Sequence, residues 1–202
     1  VGIGAYLVRL GQRTIQKVAD APILLTGYEA LNNLRGKSVY TSNDQLGGPN
    51  IMCPNGVTHL RVDNDYEAVD AMMRWLSFIP RTRHAELLPQ PLSPAVDVLY
   101  RPVTVTVSPE PYDVRRLLCG AEEDGQWQSG LFDRGSFMEV LADWARTVVT
   151  GRARLGGIPV GVIATESRTV ESVTPADPAM PQSEKVVVQQ AGGVWYPDSA
   201  FK

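Results

Sequence analysis

Residues Val148–Ser167 read VVTGRARLGGIPVGVIATES. Two runs rich in Val, Ile and Ala flank Gly156-Gly157, and β-branched content around a Gly-Gly pair is the short-range signature of a hairpin. Such a pair suits a tight turn because neither residue has a Cβ to oppose positive φ. On pattern alone the stretch predicts a core hairpin in an α/β protein, and a fold by itself names no chemistry.

Just upstream, Ser136-x-x-Glu139 has the form of a capping box. It predicts a helix that buries Phe137, Val140, Leu141, Trp144 and Val148 and runs into the hairpin, with Trp144 in the core. Downstream, Arg168–Gln190 is polar and proline-punctuated. Further upstream, seven of the fifteen prolines lie between Pro80 and Pro111. That density disfavours helix and central strand, so an extended connector is expected, with an edge strand at Val103–Val107 and a short helix near Asp113–Leu118.

In the N-terminal part, Ile3, Leu7 and Leu10 have the spacing of one buried helical stripe. Glycine at that helix start leaves backbone N–H groups approachable, which suits an anion or an oxyanion as well as plain packing. Pro22–Thr26 predicts a short buried strand, Gly27–Leu34 a helix closed by Gly36, and Gly47-Gly48-Pro49 a turn or helix entry. Val57–Val62 alternates like a strand. Asn64 with Glu67 predicts a capped helix burying Val69, Met72, Met73 and Leu76, ended by Pro80.

The chain has 202 residues, 44% hydrophobic and 20% charged, enough apolar content for a core of one large or two partial domains. A net charge of -3 predicts no general affinity for nucleic acid or anionic membrane. No apolar run approaches the length of a membrane span. Cys53 and Cys119 form no CxxC, which fits a reducing compartment. Because the chain opens at Val1, the lack of a leader carries no information.

Familiar catalytic patterns are missing. There are two histidines; His59, in a strand-like run, reads as structural and His84, in the connector, as solvated. No GxSxG, HExxH or P-loop occurs, and no biotin-attachment motif. Asp63, Asp65 and Glu67 read as helix N-terminal charge rather than metal ligands. No metal site is read.

TGRARLGGIPVGVIA closely resembles the start of the second carboxyltransferase domain of eukaryotic multidomain acetyl-CoA carboxylases. GIGAYLVRLGQR at Gly2–Arg13, VYTSNDQLGGPNIM at Val39–Met52, PADPA at Pro175–Ala179 and VWYPDSAFK at Val194–Lys202 follow that family's order across the whole chain. The resemblance implies a crotonase-like (ββα spiral) α/β fold. Residues 1–80 would be the C-terminal part of the first carboxyltransferase domain, 81–130 the proline-rich connector and 131–202 the N-terminal part of the second.

It also implies the chemistry: CO2 passes from carboxybiotin, carried on another domain, to acetyl-CoA, giving malonyl-CoA for fatty acid synthesis. Negative charge develops on the biotin ureido oxygen and on the thioester oxygen, so the protein must supply oriented N–H donors and hold two large cofactors. By resemblance the Gly2-Ile3 backbone forms one oxyanion site, Tyr6 lines the adjoining pocket, Gly47-Gly48 is a further backbone candidate, and Trp195 lies near the same region. The second oxyanion site and the carboxylate-binding arginines would lie outside these residues, leaving the piece alone inactive. Expected partners are acetyl-CoA and malonyl-CoA, a biotin carrier domain of the same polypeptide and, in the full enzyme, a second copy as homodimer. A cytoplasmic location is implied, with a plastid as alternative. The competing readings are a non-catalytic acyl-CoA-binding or scaffold relative and a carboxyltransferase for another acyl-CoA such as propionyl-CoA.

Overall fold

The computed structural model describes residues 2–79 and 96–202. Along the chain, α1 (Ile3–Leu10), β1 (Ile15–Lys17), α2 (Tyr28–Arg35), α3 (Asp44–Gly47), α4 (Pro49–Met52), β2 (Leu60–Val62) and α5 (Asp65–Leu76) come first. They are followed by α6 (Val114–Cys119), β3 (Ala121–Glu123), β4 (Gln126–Gln128), β5 (Met138–Val140), β6 (Val148–Leu155), β7 (Ile158–Thr165), β8 (Val170–Thr174), β9 (Val186–Gln190) and α7 (Pro197–Phe201). Among the described residues no helix is long and apolar enough to cross a membrane.

Two compact units share these elements. The first comprises Val1–Met72, Leu141–Arg146 and Glu171–Gln190; the second comprises Met73–Val140, Thr147–Val170 and Ala191–Lys202. They cut across the sequence, since two short late segments pack with the first 72 residues.

The second unit is built on the hairpin. β6 and β7 pair antiparallel from Val148 opposite Thr165 to Leu155 opposite Ile158, and β5 adds along the other edge of β6. Gly156 and Gly157 have φ of 59° and 81°, the left-handed geometry a two-residue hairpin turn needs. Their amides donate to the two carboxylate oxygens of buried Asp133, at 2.8 and 2.7 Å. Alternation along the strands puts Val149, Ala153 and Val162 on one face, where they pack with Val114 and Leu118 of α6 and with Phe132. Each fully buried Val or Leu contributes about 1.5–3 kcal/mol.

The helix expected from Ser136 is absent. Residues 138–140 are a strand, and Ser136 Oγ accepts the amide of Arg154, so the serine serves the sheet and not a helix end. Glu139 turns its carboxylate to Arg115 at 2.6 Å. Both halves of the apparent capping box are thus used by tertiary partners. Trp144 is half-buried, in the turn segment after β5. Val103–Val107 forms no strand, whereas the helix expected near Asp113 is present, Asp113 capping it by accepting the Arg115 amide at 3.0 Å.

In the first unit, β1 and β2 pair in parallel, Ile15 opposite Leu60 and Lys17 opposite Val62, with α2, α3 and α4 in the crossover. Gly36 closes α2 in the left-handed region at φ 66°. Asn64 and Glu67 form the expected reciprocal cap of α5: the Glu67 amide donates to Asn64 Oδ1 at 2.9 Å, and Glu67 Oε2 accepts the Asp63 amide at 2.8 Å. The buried strand expected at Pro22–Thr26 is absent: the segment joins no sheet, bends at Leu25 and Thr26, and buries Leu24 alone. The apolar stripes of α1 and α5 are not buried: Ile3 is 79% and Leu10 81% exposed, and Val69, Met72, Met73 and Leu76 all lie half or more open. Period sets the secondary structure of these helices, whereas burial needs a facing element. Pro80, His84 and the prolines at 89, 91 and 94 lie outside the described residues.

Candidate functional site

The start of α1 is shaped by Gly2, at φ 67° and ψ -127°, a backbone region that L side chains scarcely enter. A Cβ there would meet nothing nearer than the Leu25 carbonyl at 3.9 Å, so torsion and not space demands glycine. The Gly2 amide donates to the carbonyls of Leu24 and Leu25 at 3.1 and 3.0 Å, and its carbonyl accepts from Ala5. That anchoring leaves the next amide, of Ile3, without an acceptor among the described residues, at the positive end of the helix. Tyr6, 58% exposed, stands one turn further along the same face. An open N–H at a helix start beside an exposed aromatic ring can hold an anion or a developing oxyanion.

Gly47 and Gly48 are buried and meet the chain's own backbone. A Cβ on Gly47 would collide with the Ile23 carbonyl, and one on Gly48 would lie 2.7 Å from the Asp44 carbonyl. Their amides are taken by Asn43 and Asp44 carbonyls, and Gly47 accepts the Ile23 amide at 2.9 Å. The segment 22–26 therefore bonds Gly47 through Ile23 and Gly2 through Leu24 and Leu25, and so holds both glycine motifs. Gln16 of β1, which the sequence reading passed over, secures this frame from inside. Its Nε2 donates to the Gly47 and Ala21 carbonyls, both at 2.9 Å, and its Oε1 accepts the Thr58 hydroxyl. A polar residue on the inward face of a three-residue strand was the available signal.

Trp195 belongs to the second unit, whereas Gly2, Ile3, Tyr6, Gly47 and Gly48 belong to the first. Its indole is 54% exposed, and Nε1 donates to Thr165 Oγ1 at 3.1 Å. Next to Thr165, Glu166 is buried in an ion cluster with Arg115, Arg168, Asp113 and Glu139. Burial would raise the Glu166 carboxyl, but hydrogen bonds from the side chain and amide of Arg168 and its charge outweigh it and hold the group below its ordinary value. Asp113 is lowered in the same way, burial opposing and bonds from Arg115 prevailing.

Among the described residues no group of three or more His, Cys, Asp or Glu is placed to hold a metal ion. Cys53 is buried, and burial, reinforced by Asp143, pushes its thiol up to about 11. His59 is structural. Burial and the nearby Arg13 and Arg9 lower its pKa, its Nδ1 accepts the Thr14 amide at 3.3 Å, and its carbonyl accepts the Leu141 amide.

The family pattern described as the carboxyl transferase domain matches residues 1–202, and the chain belongs to that family. It is 52% identical over 202 residues to acetyl-CoA carboxylase of Schizosaccharomyces pombe and 54% identical over 204 residues to acetyl-CoA carboxylase 1 of Oryza sativa subsp. japonica. Each match covers 100% of this chain and 9% of the relative, so the chain spans a small part of the proteins it resembles. Among solved structures it is similar to transcarboxylase 12S with hydrolysed methylmalonyl-coenzyme A bound, at TM-score 0.61 and 25% identity over 82% of this chain and 30% of that one. The fold is therefore the crotonase-like carboxyltransferase fold.

Proposed function

We propose that the chain is part of the carboxyltransferase of an acetyl-CoA carboxylase, a biotin-dependent ligase that forms malonyl-CoA for fatty acid synthesis. The observation that carries this reading is the open Ile3 amide at the start of α1, inside a segment 52% identical to acetyl-CoA carboxylase. Carboxybiotin, when bound, supplies the CO2 unit and a base. The donor set fits such a group: a neutral N–H at a helix start stabilises charge appearing on an oxygen without exchanging a proton. In this reading Ile3 donates to that oxygen, Gly2 fixes the direction of the donor through its bonds to Leu24 and Leu25, and Tyr6 bounds the pocket. Gly47-Gly48 supports this frame by packing on Ile23, and Trp195 is assigned to the carboxyltransfer reaction by family resemblance, as aromatic surface.

The biotin carrier domain would belong to the same polypeptide, and the complete enzyme would be a cytoplasmic homodimer. The first carboxyltransferase domain would end near residue 80 and the second begin near 131. A second reading, transfer to another acyl-CoA such as propionyl-CoA, draws on the likeness to a transcarboxylase that binds methylmalonyl-coenzyme A. The higher identity to acetyl-CoA carboxylases favours acetyl-CoA.

The test is carboxylation of free biotin by the full-length protein, with malonyl-CoA and methylmalonyl-CoA as alternative donors. Turnover with a preference for malonyl-CoA is expected. Preference for methylmalonyl-CoA would establish the second reading, and turnover of neither would leave a scaffold.

A further inference from the structure

We propose that Glu166 is a positioning residue for Trp195, its buried carboxylate fixing the chain just past β7 on which the indole depends. The inference rests on the reading of Trp195 as a residue of the carboxyltransfer site. The β6–β7 ladder ends at the pair Val148–Thr165, so Glu166 is the first residue beyond it. Its amide still reaches the Thr147 carbonyl at 2.9 Å, and its own carbonyl accepts the Gly193 amide at 2.8 Å. Thr165 meanwhile accepts Trp195 Nε1. Two successive residues thus hold the turn that carries Trp195, one through the main chain and one through a hydroxyl. Gly192 lies so close to them that a Cβ would collide with the Ser167 carbonyl.

With the ladder finished, side-chain bonds must orient residues 166–168. The Glu166 carboxylate, 1% exposed, accepts from Arg168 Nη2 at 2.8 Å, from Arg168 Nε and the Arg168 amide at 3.1 Å each, and from Arg115 Nη1 at 3.2 Å. Arg115 also grips Glu139 of β5, so the clamp ties the end of β7 to the strand on the far side of β6 in the same sheet. Charged hydrogen bonds of this kind are directional, and a neutral amide in place of the carboxylate cannot accept all four. A half-exposed indole whose only polar atom is already fixed presents its ring face in one orientation, and accurate placement governs rate and affinity in such sites.

The test is a double-mutant cycle in the full-length enzyme, using Glu166→Gln, Trp195→Phe and the pair, with KM, kcat and thermal midpoint measured for each. Glu166→Gln should raise KM about fivefold, the size of one misplaced aromatic contact. It should add nothing to KM once Trp195 is already Phe. A structural role alone would lower the midpoint and change KM equally in both backgrounds, which would overturn the inference, as would an unchanged KM. If Glu166→Gln does not fold, the milder Arg168→Gln, which leaves Glu166 paired with Arg115, should give the same pattern, and its failure to do so counts against the inference equally. If Trp195→Phe alone changes neither KM nor kcat, the placement of Trp195 in the site fails and this inference falls with it.

Discussion

Gln16 Nε2 donates to the carbonyl of Gly47 at 2.9 Å in the interior of the first unit, linking the short parallel sheet to the glycine pair at the end of α3. Both partners are buried, so the bond is screened by no solvent. Gln16→Leu fills similar volume but removes the partner of the Thr58 hydroxyl and one donor each from Gly47 and Ala21. Urea unfolding of the 202-residue chain should show a loss of about 2–4 kcal/mol, because an unpaired buried polar group costs about 1–3 kcal/mol. A midpoint within error of the parent would show that the frame does not depend on Gln16.

Gly2→Ala probes the start of α1. Since the new Cβ has room, the change acts on torsion and should rotate the Ile3 amide away from its present direction. In the full-length enzyme kcat per folded molecule should fall about 10²-fold, as for loss of one oxyanion donor. A destabilised protein with normal kcat would assign Gly2 to packing alone.

Tyr6→Ala should behave differently, because the ring is more exposed than buried. Folding should change little. Substrate or inhibitor binding should weaken about fivefold, the worth of one aromatic contact. Equal kinetics for variant and parent would remove Tyr6 from the pocket.

The ion cluster of the second unit predicts an acid-sensitive stability. Glu166 and Asp113 have folded-state pKa values below the ordinary 4.5 and 3.8. A depressed carboxylate contributes stability that is complete above its unfolded pKa and lost as pH falls through the folded one. The thermal midpoint should therefore be level from pH 7 to about 5 and fall below about 4.5. Glu166→Gln should flatten that fall, and a parallel profile for parent and variant would place the acid sensitivity elsewhere.

Cys53, buried and with its thiol pushed up to about 11, should resist alkylation in the native chain at pH 8. Iodoacetamide labelling followed by peptide mapping checks this. Rapid modification of Cys53 without denaturant would contradict its burial.

What the sequence disclosed depended on whether the deciding contacts were local. The hairpin was legible because a Gly-Gly pair between two β-branched runs carries both the turn and the strands. The Asn64–Glu67 cap was legible because its two partners lie three residues apart. Ser136–Glu139 shows the same four-residue pattern, yet Ser136 bonds Arg154 and Glu139 bonds Arg115, residues remote in sequence. The stripe of α1 fixed its helical form but not its burial. At the site, Gly2, Ile3 and Tyr6 stood out through family resemblance, whereas Gln16 and Glu166 matter through bonds to residues up to 51 positions away.

The carboxylate of Asp133, seated on the amides of Gly156 and Gly157, also guards the hairpin against misalignment. A slip of one residue between β6 and β7 would turn every inward side chain outward, Val149, Ala153 and Val162 included. It would also move the turn off Gly156-Gly157 and leave a buried carboxylate facing no donor. Two separate penalties, one apolar and one electrostatic, then fall on the same error. The correct alignment is thereby selected by a residue 23 positions before the turn that the strands themselves do not contain.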